Sequence, residues 1–278
     1  MRTDRRPGPS TRVRVVDWRG GTPVEHEDRL ATEEPLELRL AWPGRAAHRF
    51  LVTMRTPGHD FELAAGLVHA EGLLAGTGIR TVAYCTDTDL PPEQAYNVVT
   101  VSLDAAPTSP PPERSLTMSA ACGVCGRESL DSVAELGGVP LPAAPMLSRD
   151  VVTRLPHLLR EGQQVFARTG GLHGAGLFTT VGDPLVVRED VGRHNAVDKV
   201  VGRRLLDHQT AHGAVLAVSG RVGYEIVQKA VLAGIVAIAA VGAPSSLAAD
   251  LADRFGLTLV GWVRDDRMVV YSAAGRIG

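Results

Sequence analysis

AVLAVSGRVGYEIVQKAVLAGIVAIAAVGAPSSLAADLADRFGLTLVGWV, residues 214–263, switches repeatedly between two hydrophobic periods, and that alternation decides the fold class. Residues 214–218, 235–241 and 257–263 are short, near-continuous apolar runs of the kind found in strands covered on both faces. Between them, 222–233 and 247–255 carry helical spacing; Leu247, Leu251 and Phe255 share one face and Gly256 is placed to end the helix. Strand and helix in strict turn predict an α/β layer on a mainly parallel sheet. Upstream, 177–180 and 185–188 read as strands around the turn Gly182-Asp-Pro184, and 195–206 as a helix.

Further towards the N-terminus the pattern changes. Residues 105–114, AAPTSPPPER, hold too many prolines to continue a helix or a central strand and read as a linker. Before it, 36–41, 49–54, 81–86 and 97–103 read as strands, with one helix at 61–74 whose Asp60 and Glu62 suit a helix N-terminus. The chain is thus expected to be α/β, α+β overall: a loose tail over 1–20, a sheet-rich part over 21–104, a linker over 105–114 and an α/β domain over 115–278.

Composition narrows the function. The apolar share of 44% supports a real core, and a formal charge of -2 gives no global basic field for nucleic acid. No secretory h-region follows the basic N-terminus, and the longest apolar run, 230–243, is shorter than the ~20 residues a membrane helix needs. Cys85 and a single CxxC are no disulfide framework, which points to a reducing, cytoplasmic setting. Lys199 and Lys229 are the only lysines in an arginine-rich chain, marking places where a compact ammonium suits better than a planar fork.

Cys122-Gly-Val-Cys125-Gly126 admits half a zinc site, a dithiol couple, or a thiolate that accepts and passes on sulfur. A structural zinc site needs four ligands, and the chain has no second CxxC or CxxH. A zinc deaminase needs H-x-E upstream of its cysteines, whereas His173 follows them and Ala175 stands in the glutamate's place. A thioredoxin-like couple would sit at a strand-to-helix junction, which the preceding LTMSAA does not provide. Arg127 beside the pair favours the thiolate. Spacing alone leaves sulfur and redox chemistry open against metal binding. Cys85 reads as a small core hydrophobe.

Other segments could hold a ligand. TGGLHGAG, 169–176, is a tight turn or a close backbone approach; REDVGRHNAVDK, 188–199, is so dense in charge that a cleft edge for an anion is preferred over a capped surface helix. Ser219-Gly220-Arg221 between strand and helix is a natural phosphate seat. In VRDDRM, 263–268, a solvated hairpin turn competes with a nucleotide site in which arginines grip phosphate and aspartates accept from a guanine edge.

Taken in chain order, MRTPGHDFELAAGLVHAEG, CGVCG, TGGLHGAG, REDVGRHNAVDK, SGRVGYEIVQKA, APSSLA and LTLVGWVRDDRMVVY resemble the FdhD family, the formate dehydrogenase accessory sulfurtransferases, from about Glu34 to Tyr271. The resemblance implies a C-terminal domain similar to the cytidine deaminase fold without its zinc. It also implies that a cysteine desulfurase passes persulfide sulfur to the CxxC, and that the sulfur goes on to the molybdenum or tungsten bis-pterin guanine dinucleotide cofactor of formate dehydrogenase. On that pattern Cys122 is the carrier and Cys125 its partner. Val263, Arg264, Asp265, Asp266, Arg267 and Met268 form the guanine-dinucleotide segment, open to a GDP-like nucleotide, and the chain is a homodimer. A chaperone that binds the cofactor without carrying sulfur is the alternative. Gly223, Gly242 and Ser245 stand where the family commonly has serine, serine and threonine.

Overall fold

The computed structural model describes residues 7–85, 96–109, 111, 132–142 and 146–278. Cys122, Cys125 and Arg127 lie outside the described residues, as do 110 and 112–114 of the expected linker.

The chain opens with β1 (Ser10–Arg19) and β2 (Thr22–Ala31), an antiparallel ribbon in full register from Ser10↔Ala31 to Arg19↔Thr22. Much of the stretch expected as a loose tail is therefore strand. The legible signal is Gly20-Gly21, both at positive φ (57° and 85°), the pair that a two-residue hairpin turn of this handedness favours. The ribbon leaves Val16 and Trp18 exposed.

A second sheet holds β3 (Glu34–Trp42), β4 (Arg45–Arg55), β5 (Ile79–Tyr84) and β6 (Val98–Leu103) in the order β4-β3-β6-β5. Only β3 and β6 run parallel. Leu36, Leu38 and Leu40 alternate inward from β3, meeting Val99, Val101 and Leu103 of β6 and Leu63 and Leu67 of helix α1 (Asp60–Ala70). The helix stops four residues short of its expected end, because the chain turns back at Gly72, whose φ is +72°.

The third sheet is the predicted α/β layer. Strands β7 (His173–Phe178), β8 (Pro184–Asp190), β9 (Val215–Val218), β10 (Ala237–Ala240), β11 (Thr258–Gly261) and β12 (Val269–Ser272) take the order β12-β11-β10-β9-β7-β8. The three central strands β9, β10 and β11 are parallel and wholly buried. Helices α4 (Arg193–Leu206), α5 (Tyr224–Leu232) and α6 (Ser246–Arg254) cover one face against Leu216, Ile238 and Leu259. Helix α2 (Arg149–Glu161) covers the other, setting Val152, Leu155 and Leu159 on Val215, Ala237 and Val260. Two covered faces explain the continuous apolar strands. Neither α2 nor the short α3 (Phe166–Thr169) was expected. TGGLHGAG runs from the end of α3 into β7, and its glycines leave room for neighbours: a Cβ on Gly174 would lie 2.6 Å from the Gln163 side chain, and one on Gly176 2.7 Å from the Phe178 ring.

The two larger sheets are locked together through α1 and α4. A Cβ on Gly66 would fall 2.0 Å from the Asp198 carbonyl oxygen, and one on Gly202 1.8 Å from that of Glu62, so the two helix backbones touch. Asp60 and Glu62 do more than favour a helix dipole. Asp60 accepts from the fully buried Arg55 (Nε 3.1 Å), and Glu62 is gripped by both arms of Arg188 at 2.5 and 2.8 Å. Burial pushes the Glu62 carboxyl upwards, but hydrogen bonds from Arg188 and His59 and the Arg188 charge outweigh it and hold the pKa at about 2.

Gly202→Ala is expected to cost ~3 kcal/mol or more, because the methyl meets backbone that cannot swing aside; the urea midpoint reads it. A depressed carboxylate pKa gives stability that is complete above the ordinary value of 4.5 and lost as pH falls towards about 2. Glu62→Gln should therefore be less stable than the parent at neutral pH, with a gap that closes across that acidic window in urea titrations at stepped pH.

Candidate functional site at the carboxyl edge

Because β9, β10 and β11 are parallel, their carboxyl ends open on one side, where α/β sheets place their ligands. The antiparallel β7 starts there with His173, which pairs in register with Asp190 at the end of β8. Backbone hydrogen bonds zip the loops into one row: Ser219 N–H donates to Gly174 O (3.0 Å), Gly242 N–H to Gly220 O (3.1 Å) and Trp262 N–H to Gly242 O (3.2 Å). Helices α4, α5 and α6 all begin at this edge, so three positive helix ends converge on it. The first two start at Gly192 and Gly223 with no side-chain cap, whereas Ser245 Oγ accepts from Ala248 N–H at 3.2 Å.

Two imidazoles, His173 and His194, stand at this edge with Arg193 and Glu225. Burial lowers the His194 pKa to about 4; Arg193, Lys229 and His173 push the same way and Glu225, 3.4 Å from Nδ1, opposes them. His173 is lowered too, by burial and then by Arg193 against Asp190. Both rings are thus neutral near pH 7 and able to donate and accept. Arg193 Nε is buried with no hydrogen-bond partner among the described residues, an unspent donor beside the edge. Behind it Lys229 pairs with Asp198 at 2.6 Å, and burial lifts the Asp198 pKa to about 6 against the pull of that ammonium.

REDVGRHNAVDK divides into two jobs. Arg188, Asp190, Asn195 and Lys199 are taken up inside the protein: Asp190 accepts from Thr56 N–H (3.1 Å), Gly192 N–H (2.8 Å) and Asn195 Nδ2 (3.1 Å), and Lys199 Nζ lies 2.7 Å away. Lys199 also donates to Thr56 O (3.0 Å) and Glu189 O (3.2 Å), while Asn195 Nδ2 donates to Met54 O (2.7 Å). The expectation of a ligand-binding edge across the whole segment is corrected to Arg193 and His194, because Arg188 is bound to Glu62 of α1, Glu189 accepts from the N–H groups of Val165 and Phe166, Asp198 pairs with Lys229 of α5, and Asp190 and Lys199 tie β8 and α4 to the end of β4. The compact ammoniums of both lysines occupy buried ion pairs.

The segment 263–268 is likewise uneven. Val263 is fully buried, its N–H bonded to Ala240 O at 3.0 Å, so it offers a ligand no side chain. Arg264 Nη1 donates to Val241 O (2.9 Å) and its N–H closes the turn on Arg267 O (2.7 Å). Asp265, Asp266, Arg267 and Met268 line a cleft of about 360 Å³ with Arg149 and Asp150 from the start of α2, and His157 contacts Asp265. Trp262, expected inside a strand, instead terminates β11 with φ +54° and stands 42% exposed.

Of the family departures, Gly242 is dictated by packing, since a Cβ there would lie 2.9 Å from Arg221 N. Ser245 keeps the capping hydroxyl, and Gly223 lacks one, with no described residue within 4 Å of where its Cβ would lie. Cys85 is half-buried with Arg39 Nη1 3.7 Å from its sulfur, not a core hydrophobe.

Known proteins share this architecture. The description FdhD/NarQ family matches residues 31–278. A protein named "Sulfur carrier protein FdhD" from Nocardia farcinica (strain IFM 10152) is 48% identical over 96% of this chain and 95% of its own length. Its namesake from Streptomyces coelicolor (strain ATCC BAA-471 / A3(2) / M145) is 45% identical over the same shares. A solved structure described as a "putative formate dehydrogenase accessory protein from Desulfotalea psychrophila" superposes with a TM-score of 0.75 at 27% identity, covering 97% of this chain and 100% of that one. With likeness of this kind along nearly its whole length, the chain belongs to the FdhD/NarQ family.

Proposed function

We propose that this protein carries sulfur in the maturation of formate dehydrogenase: Cys122 takes sulfur from a cysteine desulfurase and delivers it to the molybdenum or tungsten bis-pterin guanine dinucleotide cofactor before that cofactor enters the enzyme. The observation that carries this reading is the 48% identity, over 96% of the chain, to a protein named a sulfur carrier. The chemistry balances on the two cysteines. Cys122 thiolate attacks the outer sulfur of the donor persulfide; the donor S–S bond breaks, the donor leaves as a thiolate, and Cys122 becomes the persulfide. Attack of Cys125 thiolate on the inner sulfur then forms a Cys122–Cys125 disulfide and expels hydrosulfide. The sulfur gains the two electrons that the cysteine pair loses, and a dithiol reductant resets the pair.

The carboxyl edge suits an anionic dinucleotide substrate. Uncapped N-termini of α4 and α5, the unspent Arg193 Nε and the guanidinium of Arg221 favour phosphate. In the adjoining cleft Arg267 suits a phosphate, and Asp265 and Asp266 can accept from the N–H edge of a guanine, so a GDP-like nucleotide fits the same groups. Ser132, the first described residue after the cysteines, bonds Tyr224 at the start of α5 (3.1 Å). The chain therefore returns beside this edge, seven residues after Cys125. The same reading has the protein acting as a homodimer, with Val16 and Trp18 of the ribbon as apolar surface for a second copy to cover.

In a host lacking its own copy, Cys122→Ala should abolish activation of formate dehydrogenase and Cys125→Ala should reduce it sharply. Full activation by the double variant would replace the carrier with a cofactor chaperone.

A further inference from the structure

Ser132 and Tyr224 meet at the carboxyl edge. Tyr224 is the first residue of α5, next to the Glu225 that faces His194 Nδ1 at 3.4 Å, and its hydroxyl lies 3.1 Å from Ser132 Oγ. The residues that follow Ser132 are seated on the frame. One helical turn opens there, with Leu136 N–H donating to Ser132 O at 3.0 Å, and Val133 is fully buried in the core shared with α4, α5 and α6. Leu136 closes on the end of α1, where a Cβ on Gly72 would lie 3.0 Å from Leu136 Cδ2. Gly138 N–H donates back to Val133 O (2.8 Å), and Leu141 N–H to Phe255 O (2.9 Å) at the end of α6. Residues 132–141 thus form a strap that joins the end of α1, the start of α5 and the end of α6.

The phenol hydroxyl is not what holds either side in place. Helix α5 is seated by Ile226, Val227 and Ala230, all fully buried, and by the Lys229–Asp198 pair at 2.6 Å. The strap has its own footing in Val133. What the Ser132–Tyr224 bond adds is a fixed point at the first described residue of the strap, where the chain arrives from the cysteines. Ser132 comes seven residues after Cys125 and ten after Cys122. A fully extended backbone of ~3.3–3.6 Å per residue puts a ceiling of roughly 25 and 36 Å on the span from that point to each. The fixed point therefore decides which part of the edge the thiols can reach, and group transfer loses as much as ~100-fold for a misplacement of about 1 Å.

We infer that Tyr224 is a positioning residue for sulfur delivery, its hydroxyl pinning the strap at Ser132 and with it the reach of the two cysteines along the carboxyl edge. The inference rests on the carrier reading given above. It separates the two halves of that reaction: in loading, the donor protein comes to the thiol, whereas in delivery the thiol must be held at this edge.

The test uses the full-length protein and reads both halves. Loading is the one-sulfur mass gain on Cys122 after incubation with a cysteine desulfurase and cysteine; delivery is activation of formate dehydrogenase in a host lacking its own copy. Tyr224→Phe, which keeps the ring, and Ser132→Ala should each load like the parent and deliver about 3–10-fold less, the ordinary worth of one hydrogen bond. The double variant should deliver no worse than either single one, since both changes remove the same bond. Ser132→Thr keeps a hydroxyl and should deliver like the parent. Each variant should melt within roughly 4 °C of the parent, and a larger drop would make the bond a prop of the fold and overturn its positioning role. Full delivery by Tyr224→Phe and Ser132→Ala, or losses that multiply in the double variant, would overturn the pin and leave the carrier standing. Equal losses of loading and delivery would overturn the assignment to delivery. A parent that gains no sulfur would overturn the carrier reading and the pin with it.

Discussion

Lys199 lies fully inside the protein, its ammonium 2.7 Å from an equally buried Asp190, and the rest of the architecture is arranged around that pair. Two charges in such a place survive only if every remaining valence is met. They are met from both sheets: Thr56 supplies a carbonyl to Lys199 and an N–H to Asp190, and Asn195 reaches from Asp190 to the Met54 carbonyl. The end of β4 is thereby fixed to the start of α4. Arg188 and Glu62 repeat the device two residues earlier on β8, and the glycine contact of Gly66 with Gly202 draws the helices close enough for both to form. Removing one partner from the buried pair would strand the other, at a cost of ~3–5 kcal/mol.

This lock also explains the site. Asp190 is the last residue of β8 and sits opposite His173, so the pair that joins the sheets also sets the left-hand side of the carboxyl edge. Arg193 and His194 follow at once on α4, where His194 Nδ1 lies 3.4 Å from Glu225 of α5. The α/β layer supplies the other side through the β9–α5, β10–α6 and β11 loops. Its rigidity comes from strands buried on both faces, and its chemistry from helix ends, guanidinium groups and imidazoles held neutral by burial.

Much of this was legible in the amino-acid order. The parallel layer declared itself because strands covered on both faces read as unbroken apolar runs, and the four strands of the second sheet because Leu36, Leu38 and Leu40 keep a period of two. The ribbon was missed because its residues are charged on both faces; only Gly20-Gly21 marks it. Helix α2 was missed because Pro156 interrupts its pattern. The charge density of 188–199 was visible, but which charges face inward is a matter of tertiary partners that spacing does not carry. Val263 and Trp262 show the same limit: adjacent residues of one expected strand, one in the core and one at the edge, separated by a backbone angle. The cysteine pair was found by its chemistry and its family resemblance.

The described residues form a frame whose carboxyl edge gathers helix N-termini, guanidinium groups and imidazoles, and on the reading proposed above Cys122 and Cys125 carry the sulfur. The most direct measurement is the mass of the Cys122 peptide after the purified protein meets a cysteine desulfurase and cysteine in the absence of added reductant. The account predicts a gain of one sulfur atom on Cys122, removed by a dithiol and absent in Cys122→Ala. An unmodified Cys122 beside a desulfurase carrying its own persulfide would contradict it.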